Sequence, residues 1–180
     1  MFRHGRIVAW LTHREEKTMT RRLVVTMLVG LLVGALAPAA LAQSQADEEA
    51  IRKVLLTETD RFFARDFTGW ASTFVQVPAA VQAWNNADGT YTHRLGWETI
   101  RARIQEFMTK NSTPDRTPMW RENFVFRHYG NAAFVTFDKY LGDRKTAKPI
   151  REIRVVERHG NEWKIVCVVA LMDHLKPAMD

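Results

Sequence analysis

The chain has 180 residues and a formal net charge of +6, but the charge is unevenly distributed. Residues 1–42 contain six of the 26 basic residues and two of the 20 acidic ones, so residues 43–180 carry only +2. Because that part has no block of like charge, we expect no nucleic-acid partner.

Residues 19–42 have the layout of a secretory signal peptide. A basic start at Met19 precedes an apolar run over 23–37, and the small-x-small sequence Ala40-Leu41-Ala42 follows. At about 15 residues, the run is shorter than the ~20 needed to span a bilayer. We therefore expect translation to start at Met19, cleavage after Ala42, and a periplasmic or secreted protein without membrane attachment. The alternative is an apolar segment that stays uncleaved as an anchor. No cysteine lies near the cleavage site, so no lipoprotein anchor is expected.

The remaining residues, 43–180, suit a single domain with one hydrophobic core. Cys167 is the one cysteine of the sequence, so an exported chain of this kind has no internal disulfide.

The first predicted element is a helix that runs from the acidic residues 47–49 to about Arg65. Its apolar residues recur at helical spacing: Ile51, Val54, Leu55, Phe62 and Phe63. Glu58 lies on the same stripe and has two interpretations. Either its carboxylate reaches solvent at the edge of the stripe, or it points into a cavity under the helix, where it would suit proton transfer.

A second, short helix is predicted within residues 66–74, with Asp66 or Thr68 as its N-cap. Trp70 and Phe74 share one face of it at i, i+4 spacing. Trp70, together with Trp84, is a candidate for the apolar wall of a cavity.

The segments 81–86 and 90–94 predict a hairpin, because Asp88-Gly89 between extended runs favours a tight turn. If Asp88-Gly89 is a two-residue loop, one face carries Trp84 opposite His93, and Asn86 opposite Tyr91. A mixed aromatic and polar face is typical of a pocket wall. The alternative is a half-exposed edge hairpin with its polar side chains in water.

A third helix over residues 96–108 is followed by two further hairpins. The first joins 119–129 to 132–141 through Gly130-Asn131, and the second joins 150–159 to 162–172 through Gly160-Asn161. His128 lies near the first of these turns. It is either a rim histidine or a catalytic or ligand-binding residue.

In the last hairpin, a two-residue loop places Val156 opposite Ile165, and places Arg154 opposite Cys167. The final strand is apolar on both faces, so we expect both faces to be covered. Arg154 is therefore either an anion anchor in a pocket or a surface arginine with a packed stem.

Four phrases in chain order resemble the NTF2-like superfamily, in particular its SnoaL-like and DUF4440-like bacterial proteins. They are residues 65–70, 84–91, 96–100 and 160–166, and the resemblance covers residues 47–173. It implies an α+β, cystatin-like cone in which a curved mixed or antiparallel sheet of about five to six strands wraps around three helices from the N-terminal half. It also implies a cavity and a homodimer formed through the outer face of the sheet.

The sequence contains no histidine or carboxylate cluster with metal-ligand spacing and no phosphate-binding glycine loop, so we expect no metal and no cofactor. The candidate catalytic residues are Glu58, as a general base, and Tyr91 and His93, as donors to a developing oxyanion. The candidate ligand-binding residues form a second group: Trp70, Trp84, Asn86, His128 and Arg154.

Three functions remain open because one fold supports many activities. The leading hypothesis is an exported protein that binds a small, largely apolar molecule in its cavity. The second is a cofactor-free isomerase, lyase or hydrolase. The third is an interaction module whose cavity is filled by its own side chains and whose outer sheet face binds another protein.

Overall fold

The computed structural model describes residues 43–172. The predicted leader, residues 1–42, lies outside the described residues. Contacts divide the chain after Asp47, and the fold below is that of the unit that begins at Glu48. Among the helices of residues 43–172, none combines the length and the hydrophobicity that a bilayer-spanning segment requires.

Residues 43–63 of the described chain are helical, and the part of this helix that belongs to the unit, from Glu48 to residue 63, is α1. Its predicted stripe forms part of the core, and Ile51 and Leu55 are almost completely buried. Arg65 follows the helix with a φ of 63°, a left-handed conformation that ends the helical path.

The short helix α2 (Phe67–Ala71) begins at the predicted cap Asp66, whose carboxylate accepts a hydrogen bond of 2.8 Å from the Gly69 amide. A Cβ at Gly69 would lie 2.3 Å from an oxygen of that carboxylate. Glycine is therefore required at this position if the cap is to keep its geometry.

The hairpin β1 (Val81–Asn85) and β2 (Tyr91–Leu95) differs from its prediction by one residue. Asn86 and Thr90 close a loop whose three central residues end at Gly89, with a φ of 84°. Trp84 therefore lies opposite Thr92, and Tyr91 lies opposite Asn85. Since side chains alternate between faces, this shift moves Tyr91 and His93 to the face opposite Trp84.

The helix α3 (Trp97–Lys110) precedes four strands whose bounds agree with the predicted ones. They are β3 (Met119–Tyr129), β4 (Ala132–Leu141), β5 (Ile150–His159) and β6 (Glu162–Met172). The six strands form one sheet in the order β2-β1-β6-β5-β4-β3. Only the β1–β6 pair is parallel. The predicted α+β fold, with a curved, unclosed sheet and its helices in the N-terminal half, is confirmed.

Two β-bulges alter the register of the sheet. In the β5–β6 pair, Val156 faces Ile165 as predicted, but Val155 faces Cys167, so Val166 is an extra residue. The prediction that Arg154 lies opposite Cys167 is therefore wrong, since Arg154 pairs with Val168. The second bulge lies in β3 at Asn123, whose φ is 56°. A bulge bends its strand, so both sites contribute to the curvature of the sheet.

The inner face of the sheet packs on a core of aromatic side chains from the helical half. The Trp70 ring lies 4.7 Å from that of Phe74 and 5.8 Å from that of Trp97, measured between centroids. All three are almost fully buried. These rings belong to one core cluster that also includes Val135, Phe137 and Ile165 of the sheet.

Candidate functional site

A cavity of about 210 Å³ lies between the helices and the inner face of the sheet. Its wall is mostly apolar and includes two side chains from α1, one from α3 and several from the sheet: Phe62, Phe63, Trp84, Ile104, Val168, Ala170 and Met172. The polar part of the wall consists of Glu58, Thr59, Gln82, Lys139, Glu152 and Arg154. An apolar wall with a few grouped polar side chains is typical of small-molecule sites.

Glu58 reaches the cavity because it lies on the buried stripe of α1. Its side chain is 8% exposed. One carboxylate oxygen accepts a hydrogen bond from the indole Nε1 of Trp70 at 3.1 Å, and the other accepts one from the Thr59 hydroxyl at 2.9 Å. These two donors fix the carboxylate in the wall of the cavity.

A second carboxylate, that of Glu152, lies on the sheet side of the cavity and is completely buried. It forms ion pairs with Lys139 on β4 and Arg154 on its own strand, and the two cations contact different carboxylate oxygens. Burial raises the pKa of Glu152, but Arg154 and Lys139 lower it by more, so the net pKa is below its ordinary value. Glu152 is therefore an anion at neutral pH.

Arg121 extends this charged cluster along β3. It is the register partner of Lys139, and its guanidinium Nε and Nη2 are buried without a hydrogen-bond partner. Burial lowers the pKa of Arg121, and Glu58, Asp60 and Glu152 act in the opposite direction. An arginine retains its charge under such conditions.

The structure brings three of the predicted site residues to the cavity, namely Glu58, Trp84 and Arg154. Trp70 is not in the wall. It is completely buried in the core and contacts the site through its hydrogen bond to Glu58.

The other predicted residues lie away from the cavity. The side chains of Tyr91 and His93 are exposed on the outer face because of the one-residue shift in their hairpin. Asn86 belongs to the loop and bonds to the hydroxyls of Thr90 and Thr92. His128 stacks on Phe126, and its Nε2 lies 3.8 Å from a carboxylate oxygen of Glu48.

Sequence reasoning missed Glu152, Lys139 and Gln82. Glu152 and Lys139 occur in strands that also carry exposed charged residues, so they resemble surface positions. Their alternation with buried positions was a usable signal, because Glu152 shares its face with Val156, and Lys139 shares its face with Val135.

Within residues 43–172, no group of three or more histidine, cysteine or carboxylate side chains is arranged to hold a metal ion. The polar groups of the wall are two carboxylates, two cations, a carboxamide and a hydroxyl, and they surround an apolar space. Such a set can bind a polar group in a fixed orientation, and it can accept or donate protons.

No protein-family model and no curated protein sequence matches this chain. Several solved structures, in contrast, align with it. A protein of unknown function from Shewanella oneidensis, described as NTF-2 like, aligns with a TM-score of 0.55 and 14% identity, over 70% of this chain and 99% of its own.

Two further solved structures align with this chain to a similar extent. A protein of unknown function with a cystatin-like fold, from Nostoc punctiforme, has a TM-score of 0.54 and 12% identity, over 73% of this chain and 95% of its own. A provisionally assigned dehydratase of the NTF2-like family, from Streptomyces avermitilis, has a TM-score of 0.55 and 15% identity, over 71% and 96%. At such identities the likeness concerns the backbone path, and on that basis this chain has the NTF2-like, or cystatin-like, fold.

Proposed function

We propose that the protein is an exported binding protein that holds a small, largely apolar molecule in the cavity of its NTF2-like fold. The observation that supports this most directly is the cavity itself, whose apolar wall has polar side chains grouped at α1 and at the sheet. For scale, an apolar cavity of about 150 Å³ binds benzene. A space of about 210 Å³ suits a ligand with one ring and a short substituent.

The cavity also weighs against an interaction module with a filled interior. A space closed by Trp70 and Trp84 would favour that hypothesis. Instead, Trp70 packs in the core and Trp84 forms one side of the wall, beneath the guanidinium of Arg94 at 4.7 Å.

Native mass spectrometry of the protein, expressed from its full sequence and purified gently, tests the binding function. We expect a bound species whose extra mass disappears on denaturation. Two substitutions at adjacent valines form a matched pair, since Val168 faces the cavity and Val169 has the opposite orientation. Val168→Phe should abolish the extra mass by filling the space, and Val169→Phe should retain it. Retention by both variants, or by neither, would contradict the cavity as the binding site.

A second candidate function is acid-base catalysis on the bound molecule. It is favoured by Glu58, a carboxylate that is 8% exposed in the cavity wall, and a dehydratase assignment exists for one solved structure of this fold. Its test is turnover of the identified ligand. Glu58→Gln should reduce kcat at least a hundredfold, as expected for loss of a general base, and binding of the ligand should persist. Unchanged turnover in this variant would reject the role of Glu58.

A further inference from the structure

The charged side chains around the cavity are not evenly matched. Glu152 contacts both Lys139 and Arg154, so two cations share one carboxylate. Arg121 is outside the wall itself, but it is the neighbour of Lys139 across the β3–β4 pair, interacts electrostatically with Glu152, and adds a third cation to the cluster. The cluster at Glu152 therefore contains three cations and one carboxylate.

Two of these cations have hydrogen-bond donors without acceptors. Arg154 is 4% exposed, and its Nε is buried without a partner. In Arg121, both Nε and Nη2 are likewise buried without a hydrogen-bond partner. Buried donors of a charged group are costly to leave unpaired, and most buried polar groups in proteins find a partner. These donors thus indicate an acceptor that comes from outside the chain.

Glu58 limits where such an acceptor can lie. Its carboxylate is on the α1 side of the cavity, where it would repel a second anion. Both of its oxygens already accept hydrogen bonds. An anionic group would therefore be more stable at the sheet, beside Arg154 and Arg121.

We propose that the bound molecule carries a carboxylate, which docks on Arg154 with support from Arg121, and that its apolar part lies against the aromatic wall formed by Phe62 and Trp84. This inference rests on the proposed binding function. A carboxylate is the group that fits best, because its two oxygens match the donor fork of a guanidinium. The ligand class is thus a small aryl or alkyl carboxylic acid.

Calorimetric titration with phenylacetate and phenylacetamide at pH 7 tests this inference, because the two probes have the same shape and differ in charge. The protein should bind phenylacetate at least ten times more tightly than phenylacetamide. Arg121→Gln should reduce this preference at least threefold. Arg154→Lys, which keeps the charge and removes the Nε donor, should do the same. Arg103→Gln is the control, because Arg103 is exposed on α3 and pairs there with Glu106.

Each outcome bears on the inference or on the function beneath it. Equal binding of both probes, or tighter binding of phenylacetamide, would overturn the proposal that the ligand carries a carboxylate. It would leave the proposed binding function of the cavity standing. Binding of neither probe would overturn both proposals. A full preference in both Arg121→Gln and Arg154→Lys would overturn the assignment of the anchor.

Discussion

The Glu58 carboxylate accepts a hydrogen bond of 3.1 Å from the indole Nε1 of Trp70, and this contact joins α1 to α2 at the edge of the cavity. Trp70 is completely buried, so its N–H has no access to solvent if the acceptor is removed. The same carboxylate therefore has a structural role whatever it does to a ligand.

Replacement of Glu58 by leucine should lower the free energy of unfolding by about 1–3 kcal/mol, the cost of an unsatisfied buried donor. Glu58→Gln retains an acceptor oxygen and should cost less than half as much. Urea denaturation followed by tryptophan fluorescence measures both. Equal losses in the two variants would show that the hydrogen bond does not stabilise the fold.

The buried ion cluster at Glu152 should make stability depend on pH. Burial raises the pKa of Glu152, and Arg154 and Lys139 together lower it below its ordinary value. Because the pKa of Glu152 is lower in the folded state than in the unfolded state, its ionised form stabilises the fold. This stabilisation is complete above the unfolded-state pKa of about 4.3 and is lost progressively as the pH falls below that value.

Glu152→Gln should therefore cost about 3–5 kcal/mol at pH 7, because it leaves two buried cations unpaired. The difference from the wild type should shrink as the pH falls below the unfolded-state pKa, because the wild type loses stability when its unfolded carboxyl binds a proton. Denaturation at pH 7 and pH 3.5 would measure this. Glu157→Gln on the same strand is the control, since its pair with His159 is exposed and should contribute no more than about 1 kcal/mol. A difference that is constant with pH would contradict the prediction.

The two faces of the β1–β2 hairpin should differ in their importance for binding. Trp84 lines the cavity, whereas His93 is on the exposed face. Trp84→Ala should lower the affinity for phenylacetate at least fivefold, and His93→Ala should change this affinity less than twofold. Calorimetry provides both values. A large effect of His93→Ala would mean that the ligand binds on the outer face.

The outer face of the sheet leads us to propose a homodimer. Apolar side chains there are only half-buried: Phe134, Ile153, Val155 and Val169. Apolar patches of this kind on the surface of a soluble protein often mark interfaces. Val155→Glu should convert the dimer to a monomer in sedimentation at micromolar concentration, and Gln105→Glu on the exposed side of α3 should not. A wild-type monomer would reject the proposal.

The fold could be predicted largely because its signals are local. Each Gly-Asn pair lies between two runs rich in β-branched and aromatic residues, so the bounds of β3 to β6 follow from the sequence. The site could be predicted only in part. At the first hairpin, Asp88 accepts bonds from the Thr90 amide and hydroxyl and supports a longer loop than Asp-Gly suggested. Because the loop is one residue longer than predicted, Tyr91 and His93 lie on the face of the hairpin that points away from the cavity.

The bulge in β6 was not predictable for a different reason. A strand that is apolar on both faces has no alternation by which an extra residue can be recognised. The register partner of Arg154 on β6, which is Val168 and not Cys167, follows from this bulge.

The extra residue Val166 also bears on how the cavity can change. Before it, Ile165 points inward, and after it, Val168 and Ala170 do. A chain without Val166 would keep each of these side chains on its own face and lose only the bend. Shortening this strand by one residue would therefore flatten the sheet and make the cavity shallower while its chemical lining stayed the same. Ligand size and ligand chemistry are thus set by separate features of the chain, the first by a strand length and the second by side-chain identity.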